Sequence, residues 1–395
     1  MKRVIYPIAC AAFLLPGLVR AGGPPSSASD SLKKWEIGGY LKDLQSIQFT
    51  SVNNNWFLIN LIHNREDFHW YPGKRWKVHV GMRNRIYYGE SVDFIRQNPS
   101  LFNSANSYFK LQKIISDGPS YLVHSTFDRA SVTYTKGKWE MSAGRQRINW
   151  GQNLVWNPND IFNAYSYFNF DYEEKPGADA LRLQYYPTGT SVAEVAYKLG
   201  KNSDSTIIAG KYRFAKGSYD LQVLGGWMNG DYVLGAGWSG VIRTAGFNGE
   251  VTAFVPHKNL RIQQTVLSAS AGMNYTFSNS LYLHIAYLYN SAGSINADSN
   301  QMNVLFRQVV SAKNLSPARH SLFAEVAYQI TPLLKGDFSG ILDPSDGSFF
   351  LGPFFTYSLS DNVAWLTGGQ LFFGTDHSLY GSYGKFLFTR LKWSF

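Results

Sequence analysis

The stretch LFTRLKWSF, residues 387–395, alternates without a break: Leu387, Thr389, Leu391, Trp393 and Phe395 fall on one face, Arg390 and Lys392 on the other. Side chains on a strand point alternately to its two faces, so this pattern describes a strand with lipid or core on one side and water on the other. The pattern recurs upstream. Leu281, Leu283, Ile285, Tyr287 and Tyr289 alternate with Tyr282, His284, Ala286 and Asn290, and Leu181, Leu183 and Tyr185 alternate with Arg182 and Gln184. From Trp35 onward the chain reads as strands of about ten residues. Turn pairs such as Lys136-Gly137, Thr188-Gly189, Asn229-Gly230, Thr331-Pro332 and Ser360-Asp361 divide them. Aromatic residues at 16% are many and charged residues at 16% are few, as expected of a wall that faces lipid. The predicted fold is all-β: a transmembrane antiparallel up-and-down β-barrel.

Eighteen strands are predicted, beginning near residues 35, 55, 74, 121, 138, 178, 190, 205, 218, 231, 246, 263, 280, 319, 333, 348, 361 and 381. An even count puts both ends of the barrel in the periplasm. Loop lengths check the count independently. The long segments 89–120, 149–177 and 291–318 all fall on the extracellular side, and the other side has short turns, the longest from Asp67 to Gly73. Miscounting by one strand would scramble that division; sixteen is the main competing count. No linker or repeat interrupts the alternation, so residues 35–395 read as one barrel domain.

The N-terminus reads as an export signal. Met1-Lys2-Arg3 is a short basic region, Val4 to Val19 is mostly apolar, and Val19-Arg20-Ala21 supplies a cleavage site after Ala21. Pro7, Pro16 and Gly17 make a membrane helix unconvincing. A lipoprotein reading through Cys10 is disfavoured, because few apolar residues precede it. Residues 22–34, with the polar run Ser26 to Ser31, form a short periplasmic lead. The expected location is therefore the outer membrane. At the other end, an alternating strand carrying Leu391, Trp393 and terminal Phe395 resembles the C-terminal signal bound by the barrel-assembly machinery.

Composition excludes several functions. Cys10 is the sole cysteine, so the mature chain has neither disulfides nor a thiolate metal site. Losing Lys2, Arg3 and Arg20 lowers the formal charge from +10 to +7; no Lys/Arg block is dense enough to bind nucleic acid. HExxH, P-loop and nucleophile-elbow motifs are absent, and no cofactor or metal is implied.

A barrel this wide holds water unless something fills it. Alternation assigns an inward set rich in cations: Arg83 and Arg85 on the strand from 74, then Arg182, Lys198, Lys211, Arg213, Arg390 and Lys392. Glu140, Glu194, Asp220, Glu250 and Glu325 are the fewer inward acids. Such charges solvate any lumen wall; a ring of cations would in addition concentrate anions. Strict alternation after Trp139, Met141 and Ala143 would place Arg145 and Arg147 in lipid, at about 2–4 kcal/mol each. A bulge at Gly144 that turns both inward is the cheaper solution.

The third extracellular loop, 149–177, carries Trp150, Trp156, Phe162, Tyr165, Tyr167, Phe168, Phe170 and Tyr172 with Asp160, Asp171, Glu173 and Glu174. So many aromatics disfavour a loop waving in water, and folding into the lumen is expected. Asn157-Pro158-Asn159-Asp160 reads as a turn that opens a short helix over Ile161 to Tyr165. The run Gly144-Arg145-Gln146, Trp150-Gly151, Asn157-Pro158, Asp160 and Pro176-Gly177 resembles porin-like outer-membrane proteins of Gram-negative bacteria, including a family of unknown function, and more distantly the alginate-export barrels. GYLKDLQS, residues 39–46, is similar to barrels of Bacteroidota. The motif spans about 35 residues; it implies a passive or export channel and supplies no substrate. General porins, whose third loop also turns inward, set loop acids against wall bases. By that likeness Asp160, Asp171, Glu173 and Glu174 would face Arg83, Arg85, Arg129, Arg145 and Arg147.

The leading reading is thus a porin-like channel passing small hydrophilic solutes, with anions favoured, embedded in outer-membrane lipid. General porins commonly form homotrimers, but nothing in the sequence marks a subunit interface. A plugged barrel that anchors or exports polysaccharide is the rival. An enzyme barrel is disfavoured: His124-Ser125, His320-Ser321 and His377-Ser378 are adjacent pairs whose members face opposite ways on a strand. Asp343-Pro344-Ser345-Asp346 is accounted for as a turn.

Overall fold

The computed structural model describes residues 34–49, 56–97, 107–169, 173–257, 264–295 and 310–395. The signal and nearly all of the periplasmic lead, 1–33, lie outside them, as does Asp171. The strands are β1 Trp35–Phe49, β2 Phe57–Gly73, β3 Trp76–Tyr88, β4 Gln112–Gly118, β5 Tyr121–Lys136, β6 Trp139–Gln146 and β7 Ala178–Tyr185. They continue as β8 Ser191–Lys198, β9 Ile207–Lys216, β10 Tyr219–Met228, β11 Asp231–Ile242, β12 Ala245–Pro256 and β13 Val266–Thr276. The last are β14 Tyr282–Asn290, β15 His320–Thr331, β16 Leu334–Leu342, β17 Phe349–Ser360, β18 Val363–Phe373 and β19 Lys385–Ser394. One helix, α1 Ser91–Gln97, follows β3.

Every neighbouring pair is antiparallel, and β19 pairs with β1 from Tyr40–Ser394 to Phe49–Lys385, closing the barrel. Gly39 and Phe395 exchange both backbone hydrogen bonds at 2.9 Å. Closure leaves neither the first nor the last strand of the wall with a free edge. The wall has the eighteen strands predicted, each starting within about four residues of its expected position. The nineteenth, β4, lies within the long segment 89–120 and, among the described residues, pairs only with β5.

Local chemistry explains the differences from the sequence reading. Asp67 to Gly73 is no turn; β2 runs through it, and the reversal needs only Lys74-Arg75. No bulge interrupts the β5–β6 register, where Ser131 faces Gly144 and Ala130 faces Arg145. The wall bulges instead on β5, where Asp128 is the extra residue between the partners of Gly81 and Met82. That bulge buries both Asp128 and Arg129.

Exposure follows the alternation. Leu181, Val195, Leu234 and Ile285 stand exposed on the outer face, while their neighbours Ala180, Ala196, Val233 and Ala286 are buried inside. No helix among the described residues is long and apolar enough to cross a membrane.

Candidate functional site: the lumen and its inner loop

The chain leaves the wall after Gln146. Gly144 has φ +109°, and a Cβ there would lie 2.2 Å from the Ala130 carbonyl oxygen, so only glycine fits. Where β6 departs, Arg145 takes over the ladder's work. Its guanidinium pairs with Asp179 at 2.8 Å and donates to the carbonyls of Phe127 at 2.9 Å and Phe109 at 2.6 Å. It is 3% exposed and so presents no charge to water. The expectation that Arg145 belongs to an aqueous wall is corrected: it is a five-donor plug for orphaned carbonyls.

From there the loop circles the inner wall. Trp150, Ile161 and Phe162 sink into a sector of small side chains, Ala178, Ala180, Ala196 and Ala209 among them. The Trp150 indole N–H donates to Glu194 at 2.7 Å, and Gln222 donates to the Trp150 carbonyl at 2.7 Å. Glu250 on β12 accepts three backbone N–H groups, from Gln152, from Asn153 at 2.8 Å and from Asn159 at 2.8 Å. Thr252 donates to the Asn159 side chain, which itself donates to the Ala236 carbonyl. The approach is so close that a Cβ at Gly235 would meet Asn159 at 2.8 Å. The expected helix over Ile161–Tyr165 is absent; turns stand there, because Asn159 and Asp160 bind wall and loop groups instead of capping.

Further round, Trp156 packs edge-on against Phe323, and Phe168 lies against Phe350, Phe372 and Tyr380. Gln370 donates to the Phe168 carbonyl at 2.8 Å. Glu173 pairs with Arg390 at 3.0 Å and with Lys392, while Glu174 accepts from Tyr40 at 2.8 Å and lies 3.7 Å from Arg65. Arg129 donates to the Lys175 carbonyl at 2.6 Å and ends the circuit. Glu173 and Glu174 thus meet bases other than those expected and latch the loop to β19, β1 and β2. Asp160 is buried within the loop at 1% exposure, within electrostatic reach of Arg147 and Lys175.

The remaining bases differ in access. Arg83 is buried on β3, and Arg85 beside it donates to the Tyr87 hydroxyl and contacts a His124 ring nitrogen at 3.3 Å. Arg182 and Lys211 share Glu194, at 2.9 and 3.6 Å. Arg213 is exposed and Arg147 partly so. His124 is buried toward the lumen while Ser125 contacts Asn84 on the other face. Among the described residues no group of three His, Cys, Asp or Glu is placed to hold a metal ion.

Arg65 was not anticipated. It is 2% exposed and gathers Asp67 and Asp128, each at 2.5 Å, beside Glu174. The inward run Leu61, His63, Arg65, Asp67 carries that signal, hidden by reading the residues from Asp67 as a turn.

Burial pushes the Asp160 carboxyl up to about 6, against the pull of Lys175 and Arg147. Burial and Arg147 push the Lys175 ammonium down to about 8. Asp160 sits above its ordinary 3.8, so the folded loop holds a proton that the unfolded chain releases. Its contribution is fully present below about pH 4 and is lost as pH rises through about 6. Loop cleavage by protease should thus be slower at about pH 4.5 than at about pH 7 after correction for protease activity. Asp160→Asn should remove that difference; a difference that survives the substitution would sink the assignment.

The fold has solved counterparts. Acinetobacter baumannii OccAB4 superposes with a TM-score of 0.56 at 7% identity, covering 93% of this chain and 100% of its own. OccAB3 of the same organism gives 0.57 at 9% identity, covering 91% and 99%. A doubly substituted OccD1 (OprD) gives 0.54 at 10% identity, covering 92% and 95%. No protein-family profile matches the chain, and no curated protein does. At such identities the likeness is one of fold: the chain is a closed eighteen-strand barrel of the kind built by Gram-negative outer-membrane porins.

Proposed function

We propose that the protein is an outer-membrane porin-like channel for the passive passage of small hydrophilic solutes, with a preference for anions. One observation carries this reading. The aromatic loop lies along the small-residue and aromatic sectors of the inner wall, held there by Glu250, Gln222 and Gln370. With the loop's aromatics spent on the apolar wall, Arg85, Arg147, Arg182 and Arg213, which are partly or fully exposed, are left to line a water path. Trp150 and Trp156 are 1% and 4% exposed, so neither offers a face on which a sugar could stack; this disfavours the polysaccharide-anchoring reading. The signal over residues 1–21, delivery by the barrel-assembly machinery through Leu391, Trp393 and Phe395, and the resemblance to alginate-export barrels belong to the same proposal.

Planar bilayers with a tenfold salt gradient test it. Stepwise openings with an anion-biased reversal potential are expected; a barrel that inserts and stays silent would overturn the channel. Arg83→Glu with Arg85→Glu should move the reversal potential toward cations by roughly 10 mV, out of the about 59 mV that such a gradient supplies. An unmoved potential would take both arginines out of the solute path.

A further inference from the structure

Two neighbouring turns, at the end of the barrel where β1 starts and β19 stops, are strongly basic. Lys74-Arg75 joins β2 to β3, and Gly137 with its flanking lysines Lys136 and Lys138 joins β5 to β6. All these cations are exposed, and none forms an ion pair with another described residue. Lys138 donates to the Pro187 carbonyl at 2.6 Å, an uncharged partner. Glu36 at this end accepts from the Tyr71 hydroxyl instead, at 3.4 Å. On the adjacent strands β3 and β5, Trp76 stands opposite Tyr134, and the Thr135 N–H donates to the Arg75 carbonyl at 2.8 Å. Continuing that register sets Lys74 beside Lys136, and like charges side by side repel. Across the barrel at the same end, the turns 277–281, 332–333 and 361–362 carry neither lysine nor arginine.

Aromatic pairs flank the cations on the outer face. Trp76 lies against Tyr134 with ring centroids 4.7 Å apart, and Trp139 against Tyr185 at 4.5 Å. Both tryptophans are nearly half exposed, at 48% and 46%, and Trp139 stands opposite Lys136. Trp and Tyr settle at the headgroup level of a bilayer, and long basic side chains reach from there toward the phosphates. A Cβ at Gly73 or Gly137 would meet nothing within 4 Å, so the space beside both turns is open. A phosphate in that space accepts charge-assisted hydrogen bonds and relieves the repulsion between Lys74 and Lys136. An acidic protein approaching from the water meets the charges but gains nothing from the tryptophan faces, which lie on the lipid side.

We infer that these two turns form a binding site for an anionic phospholipid. Lys74, Arg75 and Lys136 hold its phosphate, and its glycerol and upper acyl chains lie against Trp76 and Trp139. The assignment rests on the chain being an outer-membrane barrel and is independent of the solute that the barrel passes.

The test reconstitutes the full-length protein in vesicles of equal phosphatidylglycerol and phosphatidylethanolamine, then counts the lipids it retains in mild detergent by native mass spectrometry. The unaltered barrel should retain phosphatidylglycerol over phosphatidylethanolamine by about fivefold or more. The K74Q/K136Q double variant should fall to near parity, and K74R/K136R, which keeps the charges, should hold the preference. Lys113→Gln, an exposed lysine at the opposite end of the barrel, should leave it unchanged. Heat-dependent gel migration reads the fold separately, so a missing preference in a migrating barrel counts against the site alone. Three results would overturn the inference: equal retention of the two lipids by the unaltered protein, a preference that survives in the folded glutamine double variant, or an equal loss on Lys113→Gln.

Discussion

Replacing Arg65 with alanine is expected to destabilise the barrel by about 3–5 kcal/mol, the range seen when one partner of a buried ion pair is removed. The guanidinium is 2% exposed and spends its donors on Asp67 and Asp128. Without it, Asp67 retains His79 at 2.9 Å. Asp128 is itself 5% exposed, and would be left with only the looser Arg129 contact at 3.8 Å. Arg65→Lys should fall between, because an ammonium keeps the charge but not the planar fork that reaches two carboxylates. Urea unfolding of the reconstituted barrel, followed by heat-dependent gel migration, reads the effect. An unchanged midpoint for the alanine variant would show that the wall does not rely on this cluster.

Glu250→Ala should release the loop. Three backbone N–H groups converge on this carboxylate, which is 1% exposed. Each buried donor left unpaired costs about 1–3 kcal/mol, more than the remaining contacts of residues 152–159 are expected to hold without rearrangement. A free loop would expose its aromatics and change the width of the passage from moment to moment. Single channels of the variant should carry a larger and noisier current, and protease should cut between 147 and 177. Glu250→Gln keeps one acceptor but turns its amide protons toward the backbone donors, so an intermediate result is expected. Unaltered current and an uncut loop would refute the latch.

The wall was legible because its information is local. Each strand carries its own alternation, and the long segments fall only where alternate connections permit, so the count of eighteen needed no knowledge of contacts. The loop was legible in its aromatic content but not in its partners. Glu173 and Glu174 meet Arg390, Lys392, Tyr40 and Arg65, residues more than a hundred positions away. No spacing along the chain encodes such pairings. Arg145 marks a different limit. Alternation set it toward lipid and charge argued for water, whereas the structure uses it for carbonyls stranded where β6 departs. Periodicity locates a strand's faces and is silent about the point where a strand stops being a wall. Strand β4 escaped for a related reason: with only one partner strand, its faces are not sorted between lipid and lumen.

Pairing of β19 with β1 joins the last strand of the wall to the first. Until that pairing forms, the outer edge of β1 stays open. No other strand caps it, since β2 takes the opposite edge. An open edge is a template for wrong partners, and the contact that closes it has nearly the greatest sequence separation the chain allows, the slowest kind to form. Pairing of β19 therefore both closes the wall and removes a hazard that the rest of the barrel carries until then.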